Sequence, residues 1–170
     1  MIRIPSHAAL LLLLALAGCG GGEEAETLLE LPISGPDAVP AEGGAVYDPD
    51  ETADGDGSLR IEAADTTTVF LHDAGAFDLD DAVLSYGAML RSADLEGSAY
   101  LEMHVRLPRG EYLARTAASP LTGTTEWVSR RTGYVLDVEE KPERVRLFVT
   151  IHGRGTVWID AISLTREPRP

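Results

Sequence analysis

Alternation of apolar and polar residues is the feature that most restricts how this chain can fold. In the segment 99–107, every second residue from position 101 onward is a large apolar residue. These residues are Leu101, Met103, Val105 and Leu107. Successive side chains of a β-strand point to opposite faces, so a period of two predicts a strand buried on one face only. This segment is therefore expected to lie in a sheet with one face against a core.

Segments of the same kind recur along the chain, with Gly, Pro, Asp and Ser clustered between them. The predicted strands are residues 58–64, 67–72, 82–90, 99–107, 111–116, 126–129, 134–138, 144–152 and 156–165. Many short strands separated by turn residues are typical of an antiparallel two-sheet β-sandwich or jelly roll. We predict that this all-β domain spans residues 46–166 and that residues 167–170 form a short tail.

The apolar phase of these strands defines a candidate core. The residues expected to be buried are Leu101, Met103, Val105, Leu147, Val149, Ile151, Val157 and Ile159. The single cysteine, Cys19, has no partner for a disulfide. Stability must therefore come from the core, and a domain of about 150 residues is large enough to bury one.

The N-terminal residues indicate export. Arg3 precedes an apolar run over residues 8–17, too short to span a bilayer as a helix and typical of a signal peptide. Residues 16–19 (LAGC) resemble the lipobox of bacterial lipoproteins. The resemblance implies that a signal peptide of residues 1–18 is removed and that Cys19 is lipidated, which anchors the protein to a membrane by its N-terminus. An ordinary secretory signal with an unmodified cysteine is the alternative.

The residue after Cys19 bears on location within the cell envelope. Gly20 rather than Asp stands at this position. By resemblance to the sorting of Gram-negative lipoproteins, this residue favours the outer membrane over the inner membrane.

Negative charge is concentrated after the proposed anchor. Residues 20–57 contain eleven acidic and no basic residues, whereas residues 58–170 contain seventeen acidic and thirteen basic ones. An acidic segment with Gly and Pro repels itself and stays solvated, so residues 19–45 are expected to form a flexible, lipid-anchored linker. The net charge of −14 also makes nucleic acid an unfavourable partner.

Two segments carry a resemblance to a known fold family. Residues 56–62 (DGSLRIE) look like the first strand, and residues 155–164 (GTVWIDAISL) like the closing strand, of galactose-binding-domain-like carbohydrate-binding modules. The resemblance implies a jelly roll. It also implies a structural calcium ion held by Asp56 and Asp160, since carboxylates are ligands that calcium prefers. Alternatively, Asp56 only favours a tight turn and Asp160 accepts hydrogen bonds from backbone amides.

The same resemblance suggests sugar binding, for which the residues give mixed support. Aromatic side chains stack on sugar rings, and Trp127 and Tyr100 are the candidates for this role. Glu102, His104 and Arg115 are the candidates for hydrogen bonding to hydroxyl groups. The chain has no Asn or Gln, which combine a donor and an acceptor on one plane.

Two other function classes are alternatives to sugar binding. In one, the domain is a structural or protein-binding scaffold of the cell envelope, and the polar residues of 99–107 form an ordinary solvated face. In the other it is an enzyme, but the sequence has no Gly-x-Ser-x-Gly elbow, phosphate loop or His-Glu-x-x-His motif. We therefore expect a non-catalytic domain that binds a polysaccharide or an envelope protein.

Overall fold

Antiparallel strands make up most of this computed structural model, which describes residues 25–41, 43–116 and 118–169. The strands are β1 (Glu26–Leu31), β2 (Ala45–Asp48), β3 (Ser58–Ala63), β4 (Thr67–Gly75), β5 (Ala82–Leu107), β6 (Gly110–Arg115), β7 (Leu121–Leu136) and β8 (Arg144–Pro168). A single 3-10 turn, Pro36–Ala38, is the only helical element in this part of the chain. Within the described ranges, the structure contains no helix with the length and apolar character needed to cross a membrane.

A long ribbon of β5 and β8 organises the fold. The two strands pair from Ala82 with Pro168 to Arg106 with Arg144. The sequence had indicated two separate strands in each of these regions, and the structure joins each pair into one. β7 likewise continues from residue 121 to residue 136 through the two shorter strands predicted there.

Glycines explain how the ribbon continues where a turn was predicted. Gly97 pairs with Gly153, close to a shift in the β5–β8 register. A Cβ at Gly97 would lie 1.9 Å from the carbonyl oxygen of His152, and one at Gly153 would lie 2.0 Å from that of Glu96. Only glycine permits this approach of the two backbones. The glycine-rich residues 152–155 therefore bend the ribbon and do not end it.

The bend divides the ribbon between two sheets. The first sheet contains β4, residues 144–153 of β8, residues 97–107 of β5, and β6, in that order. The second contains β7, residues 82–93 of β5 and residues 156–168 of β8, with β3 and β1 on the far side of β8 and β2 beyond β3. This arrangement is the predicted antiparallel β-sandwich.

One hydrophobic core lies between the sheets. All eight residues predicted for the core are fully buried, which confirms the strand phases. Tyr86 of the second sheet is also fully buried, and its hydroxyl donates to the carbonyl of Phe148 in the first sheet at 3.3 Å. Burial raises the pKa of Tyr86, so this hydroxyl remains a donor.

The predicted linker over residues 19–45 is wrong for the described residues from 26 onward. β1 pairs with β8, from Glu26 with Arg166 to Leu31 with Ile162. Ile33 is buried, and β2 begins at Ala45. Apolar residues lie between the acidic residues of this segment and pack on the core. Burying these apolar residues offsets the conformational entropy that is lost when the segment becomes ordered.

The domain boundaries change accordingly. The sandwich begins at β1 rather than at residue 46, and β8 ends at Pro168 rather than at residue 166. The proposed signal peptide of residues 1–18 and the proposed lipidation site Cys19 lie outside the described residues.

Candidate functional site

The outer side of the first sheet carries a continuous set of polar and aromatic side chains, which we call the polar face. Its members are Tyr100, Glu102 and His104 on β5, Glu111 and Arg115 on β6, Arg146 and Phe148 on β8, and Phe70 on β4. These residues are brought together by strand register, since Glu102 pairs with Phe148 on one side and with Arg115 on the other. The polar face therefore unites four of the five predicted ligand residues.

Glu102 is the centre of the polar face. Only 9% of this residue is exposed, although it lies on the outer side of the sheet. His104 donates from Nε2 to Glu102 Oε1 at 2.9 Å, and Arg115 Nη2 lies 3.7 Å from Glu102 Oε2. A charged carboxylate is costly to bury unless it is paired, and these two neighbours supply the pairing.

A second set of charges surrounds His104. Its Nδ1 lies 3.8 Å from Glu111 Oε1, and Glu111 also accepts a hydrogen bond from Arg146. The hydrogen bond from Arg146 lowers the pKa of Glu111. Partial burial opposes this shift, and the nearby positive charges add to it. The rings of His104 and Phe148 are 4.5 Å apart, and the Arg146 guanidinium lies 5.8 Å from the Phe148 ring. The side chains of His104, Glu111, Arg146 and Phe148 therefore fix one another's positions by mutual contact.

Tyr100 is covered, which differs from its predicted role as an exposed stacking platform. The residue is 6% exposed, and the Arg115 guanidinium lies 5.5 Å from its ring. Its hydroxyl is 2.5 Å from His152 Nε2. The rings that are half-buried on this face belong to His104, Phe148 and Phe70, the last two in edge contact at 5.5 Å.

The sequence does not predict Phe70 as a member of the polar face, or His152 as the hydrogen-bond partner of Tyr100. Residues 69–71 (VFL) are all apolar, so the sequence of β4 does not show that Phe70 points outward while Val69 and Leu71 are buried. The pairing of Phe70 with Phe148 depends on long-range register, which no local pattern predicts.

Trp127 lies apart from the other four predicted ligand residues. It belongs to β7 in the second sheet, where the next residue, Val128, pairs with Leu90 and packs against the core. Neighbouring side chains of a strand point to opposite faces, so Trp127 is on the outer side of that sheet, where it is half-buried. The register of β7 explains the separation.

The outer side of the second sheet has its own aromatic and charged cluster around Trp158, which is 9% exposed. The Trp158 indole N–H donates to Asp48 Oδ2 at 2.9 Å, and the Arg91 guanidinium lies 5.0 Å from the ring. Arg91 in turn pairs with Glu51 at 2.6 Å. Burial alone would raise the pKa of Asp48, but hydrogen bonds from Trp158 and from backbone N–H groups, with the charge of Arg60, lower it overall.

The two residues proposed for calcium lie in different environments. Asp160 is fully buried, and its Oδ2 accepts from the backbone N–H groups of Ala53 at 2.7 Å and Asp54 at 3.3 Å. Its Oδ1 accepts from Ala161 N at 2.7 Å. Asp56 is exposed, and its carbonyl accepts from the Tyr47 hydroxyl at 2.8 Å.

Three backbone N–H groups donate to the Asp160 carboxylate and occupy lone pairs that a cation would use, which agrees with the alternative in which this side chain accepts hydrogen bonds from backbone amides. The described ranges also hold no group of three or more His, Cys, Asp or Glu side chains placed to bind a metal. Calcium at Asp56 and Asp160 stays a prediction, and thermal unfolding with and without excess chelator tests it, since a bound ion raises the melting temperature.

Comparison with known proteins supports the fold at the level of structure. No family model matches the sequence, and no curated protein matches it either. Solved structures do match. The CBM22-1 xylan-binding domain of Paenibacillus barcinonensis Xyn10C superposes with a TM-score of 0.59 at 10% identity, over 88% of this chain and 97% of that one.

Two further structures show the range of proteins that share this fold. A Family 16 Carbohydrate Binding Module-2 has a TM-score of 0.56 at 9% identity, over 73% of this chain and 86% of that one. The Stig cyclase Fisc from Fischerella sp. TAU has a TM-score of 0.55 at 13% identity, over 84% of this chain and 85% of that one. At such identities the similarity shows the fold alone: this chain has the β-sandwich architecture seen in carbohydrate-binding modules.

Proposed function

We propose that this domain binds carbohydrate at the polar face, without catalysis, in a protein anchored to the cell envelope. The observation that carries the proposal is Glu102, a carboxylate held nearly buried on the outer side of a sheet by His104 and Arg115. A solvated glutamate at this position would cost the fold less, since burying a charge requires compensation. A fixed carboxylate with fixed donors beside it suits recognition of hydroxyl groups, each of which both donates and accepts.

The aromatic part of the polar face supports the same function. Sugar rings have an apolar side that packs on aromatic rings, and Phe148 and Phe70 form an edge-to-face pair beside Glu102. Both rings are half-buried, so part of each remains available to a ligand. Ligand-binding sites commonly combine apolar rings with a few fixed polar groups in this way.

Structural similarity suggests which ligand to try first. Two of the matching solved structures are named as xylan-binding domains, with TM-scores of 0.59 and 0.57. Because identity to them is 10% and 8%, their ligand is a starting probe and not an assignment.

The binding experiment compares Glu102→Gln with Glu62→Gln in affinity electrophoresis against xylan and a panel of other envelope and plant polysaccharides. Glu62 is an exposed glutamate on β3, paired with Arg60 at 3.4 Å, and serves as the matched control. We expect Glu102→Gln to weaken binding about tenfold and Glu62→Gln to leave it unchanged. His104→Ala provides a second variant should Glu102→Gln fail to fold.

Two results would count against the proposal. Equal weakening by both glutamine variants would mean that the polar face is not the site. Failure to bind any polysaccharide would favour a scaffold that contacts another envelope protein. Trp127→Ala in the same assay tests whether a ligand extends onto the second sheet.

Anchoring is tested separately. Residues 16–19 carry the lipobox resemblance, and lipidation requires the sulfur of Cys19. Cys19→Ser should therefore leave the protein uncleaved or released from the membrane fraction, whereas the unaltered protein should partition into detergent. A Cys19→Ser protein that stays processed and membrane-bound would contradict the proposal.

A further inference from the structure

A cleft of about 440 Å³ lies beside the polar face, between the end of β6 and the middle of β7. Arg115, Arg130 and Arg131 all border the cleft, but the side chain of Arg131 points to the opposite face of β7 from that of Arg130 and pairs with Glu167, so Arg115 and Arg130 are the sources of positive charge. Thr116, Ser119 and Thr132 also line it, and none of its described lining residues is acidic. The cleft is therefore locally cationic on a chain whose net charge is −14.

The three arginines differ in how well their charges are compensated. Arg131 pairs with Glu167, and Arg115 Nη2 lies 3.7 Å from Glu102. Arg130 has no carboxylate within 4 Å among the residues that the structure describes, and its Nη1 donates only to the carbonyl of Ser129 at 3.0 Å. Among the residues that the structure describes, Arg130 is thus the cation of this cleft that has no carboxylate partner.

The guanidinium of Arg130 also has unused hydrogen-bonding capacity. Its Nε is buried and has no hydrogen-bond partner among the described residues. Burial closes Nε to a ligand, so an anion in the cleft would pair with the Nη1 and Nη2 groups and compensate the charge of this side chain. The planar guanidinium can donate two parallel hydrogen bonds, a geometry that matches a carboxylate or a sulfate.

Arg115 connects the cleft with the polar face. It lines the cleft and at the same time lies near Glu102 and over the Tyr100 ring. A polymer lying on the polar face would therefore reach the cleft with an adjoining residue or substituent. We infer that the cleft binds the acidic group, carboxylate or sulfate, of a polysaccharide whose neutral part occupies the polar face. This inference rests on the proposed function and makes the ligand an acidic polysaccharide.

The test measures binding of four probes to the full-length protein by calorimetry at low and high salt. Polygalacturonate carries carboxylates, chondroitin sulfate carries sulfates as well, xylan provides the weakly charged comparison, and inorganic sulfate is the small anion. We expect at least one acidic polymer to bind about tenfold more tightly than xylan, with a preference that weakens at high salt. The two acidic polymers distinguish a carboxylate from a sulfate ligand.

Arg130→Gln should remove most of the preference for the acidic polymer and leave xylan binding unchanged. Arg130→Lys keeps the charge without the planar fork and should restore part of the preference. Arg154→Gln removes an exposed arginine that pairs with Glu96 near the bend of the ribbon, and it should have no effect. Unchanged melting temperatures for the Arg130 variants would show that the fold is intact.

Each other outcome overturns the inference in a recognisable way. Equal losses for Arg130→Gln and Arg154→Gln would indicate general charge attraction and not this cleft. Xylan binding without a preference for either acidic polymer would refute the inference and leave the proposed function standing. Binding of inorganic sulfate alone would mean that the cleft holds a free anion and no polysaccharide. Absence of all polysaccharide binding would remove the proposed function and this inference together.

Discussion

The outer faces of the two sheets use the same kinds of residue to different ends. On the second sheet, Trp158 is covered by Arg91 and its N–H is satisfied by Asp48. On the first sheet, Glu102 is likewise nearly buried, but its partner Arg115 borders a cleft in which Arg130 has no carboxylate partner among the described residues. The charged groups around Trp158 are paired with one another, whereas the cluster around Glu102 borders an open cleft.

This difference shows what separates a structural cluster from a binding site. Arginine, acid and aromatic side chains occur together on both faces, so residue type does not distinguish them. Pairing of charge does, because an arginine that already has a carboxylate partner gains little from an anionic ligand, whereas an arginine without one can be paired by it. Variants on the two faces should therefore affect different measurements, stability for the second sheet and binding for the first.

The largest effect on stability should come from the core beneath the polar face. Leu101 is fully buried and Glu102 follows it on the outer side of the same strand. Leu101→Ala should lower the free energy of unfolding by about 2–5 kcal/mol through lost burial and a cavity. Glu102→Gln should lower it by less, because the amide keeps the size and part of the hydrogen bonding. Urea unfolding measures both, and equal effects would contradict the assigned register.

A smaller loss of stability is expected from the cluster around Trp158. Asp48→Ala leaves the nearly buried Trp158 N–H without its acceptor, which should cost about 1–3 kcal/mol in unfolding free energy. Polysaccharide affinity should be unaffected, since Trp158 lies on the other sheet. If Asp48→Ala instead keeps its stability and loses polysaccharide binding, the binding site lies on the second sheet and not on the first.

The smallest effect should be a dependence of stability on acidic pH that both faces share. The pKa of Asp48 and the pKa of Glu111 are both lowered in the folded protein, the latter chiefly by the hydrogen bond from Arg146. A lowered carboxyl pKa contributes stability that is present above the unfolded values of about 4 and is lost as pH falls through the folded values. Melting temperatures should therefore decrease below about pH 4.

Two variants assign this acid sensitivity to a face. Asp48→Asn keeps an acceptor for Trp158 but does not titrate, so it should reduce the decrease in melting temperature at low pH. Glu111→Gln should do the same for the first sheet. If neither variant changes the pH profile, the lowered pKa values do not contribute to stability.

The sequence was informative where a pattern is local. Alternation over residues 99–107 placed Leu101 inside and put Glu102 and His104 two positions apart on one face, where they form a hydrogen bond. It was uninformative about register between distant strands, which brings Phe70 to this face and takes Trp127 away. Pairing of that kind depends on the whole core and not on neighbours in sequence.

Local reasoning also failed where charge and burial compete. The acidic character of residues 19–45 predicted a solvated linker, whereas Leu31 packs against the core and Ile33 is buried in it. In β1 the glutamates Glu26 and Glu30 are exposed, so a strand accommodates them at little cost. The glycines of 152–155 predict a turn between two strands, but Gly153 lies within one continuous strand, in close contact with Glu96.

The position of β1 determines how far the domain could move from a membrane. If Cys19 carries a lipid, only residues 20–25 separate it from the first residue of β1, Glu26. Six extended residues reach at most ~20 Å, whereas the linker expected from the sequence would have reached ~90 Å. A domain of this size is about 35–40 Å across, so it would lie against the bilayer surface. The domain would then stay within a narrow layer next to the membrane. It could bind polymers that run along the membrane surface, but it could not reach polymers that begin farther from the membrane than the width of one domain.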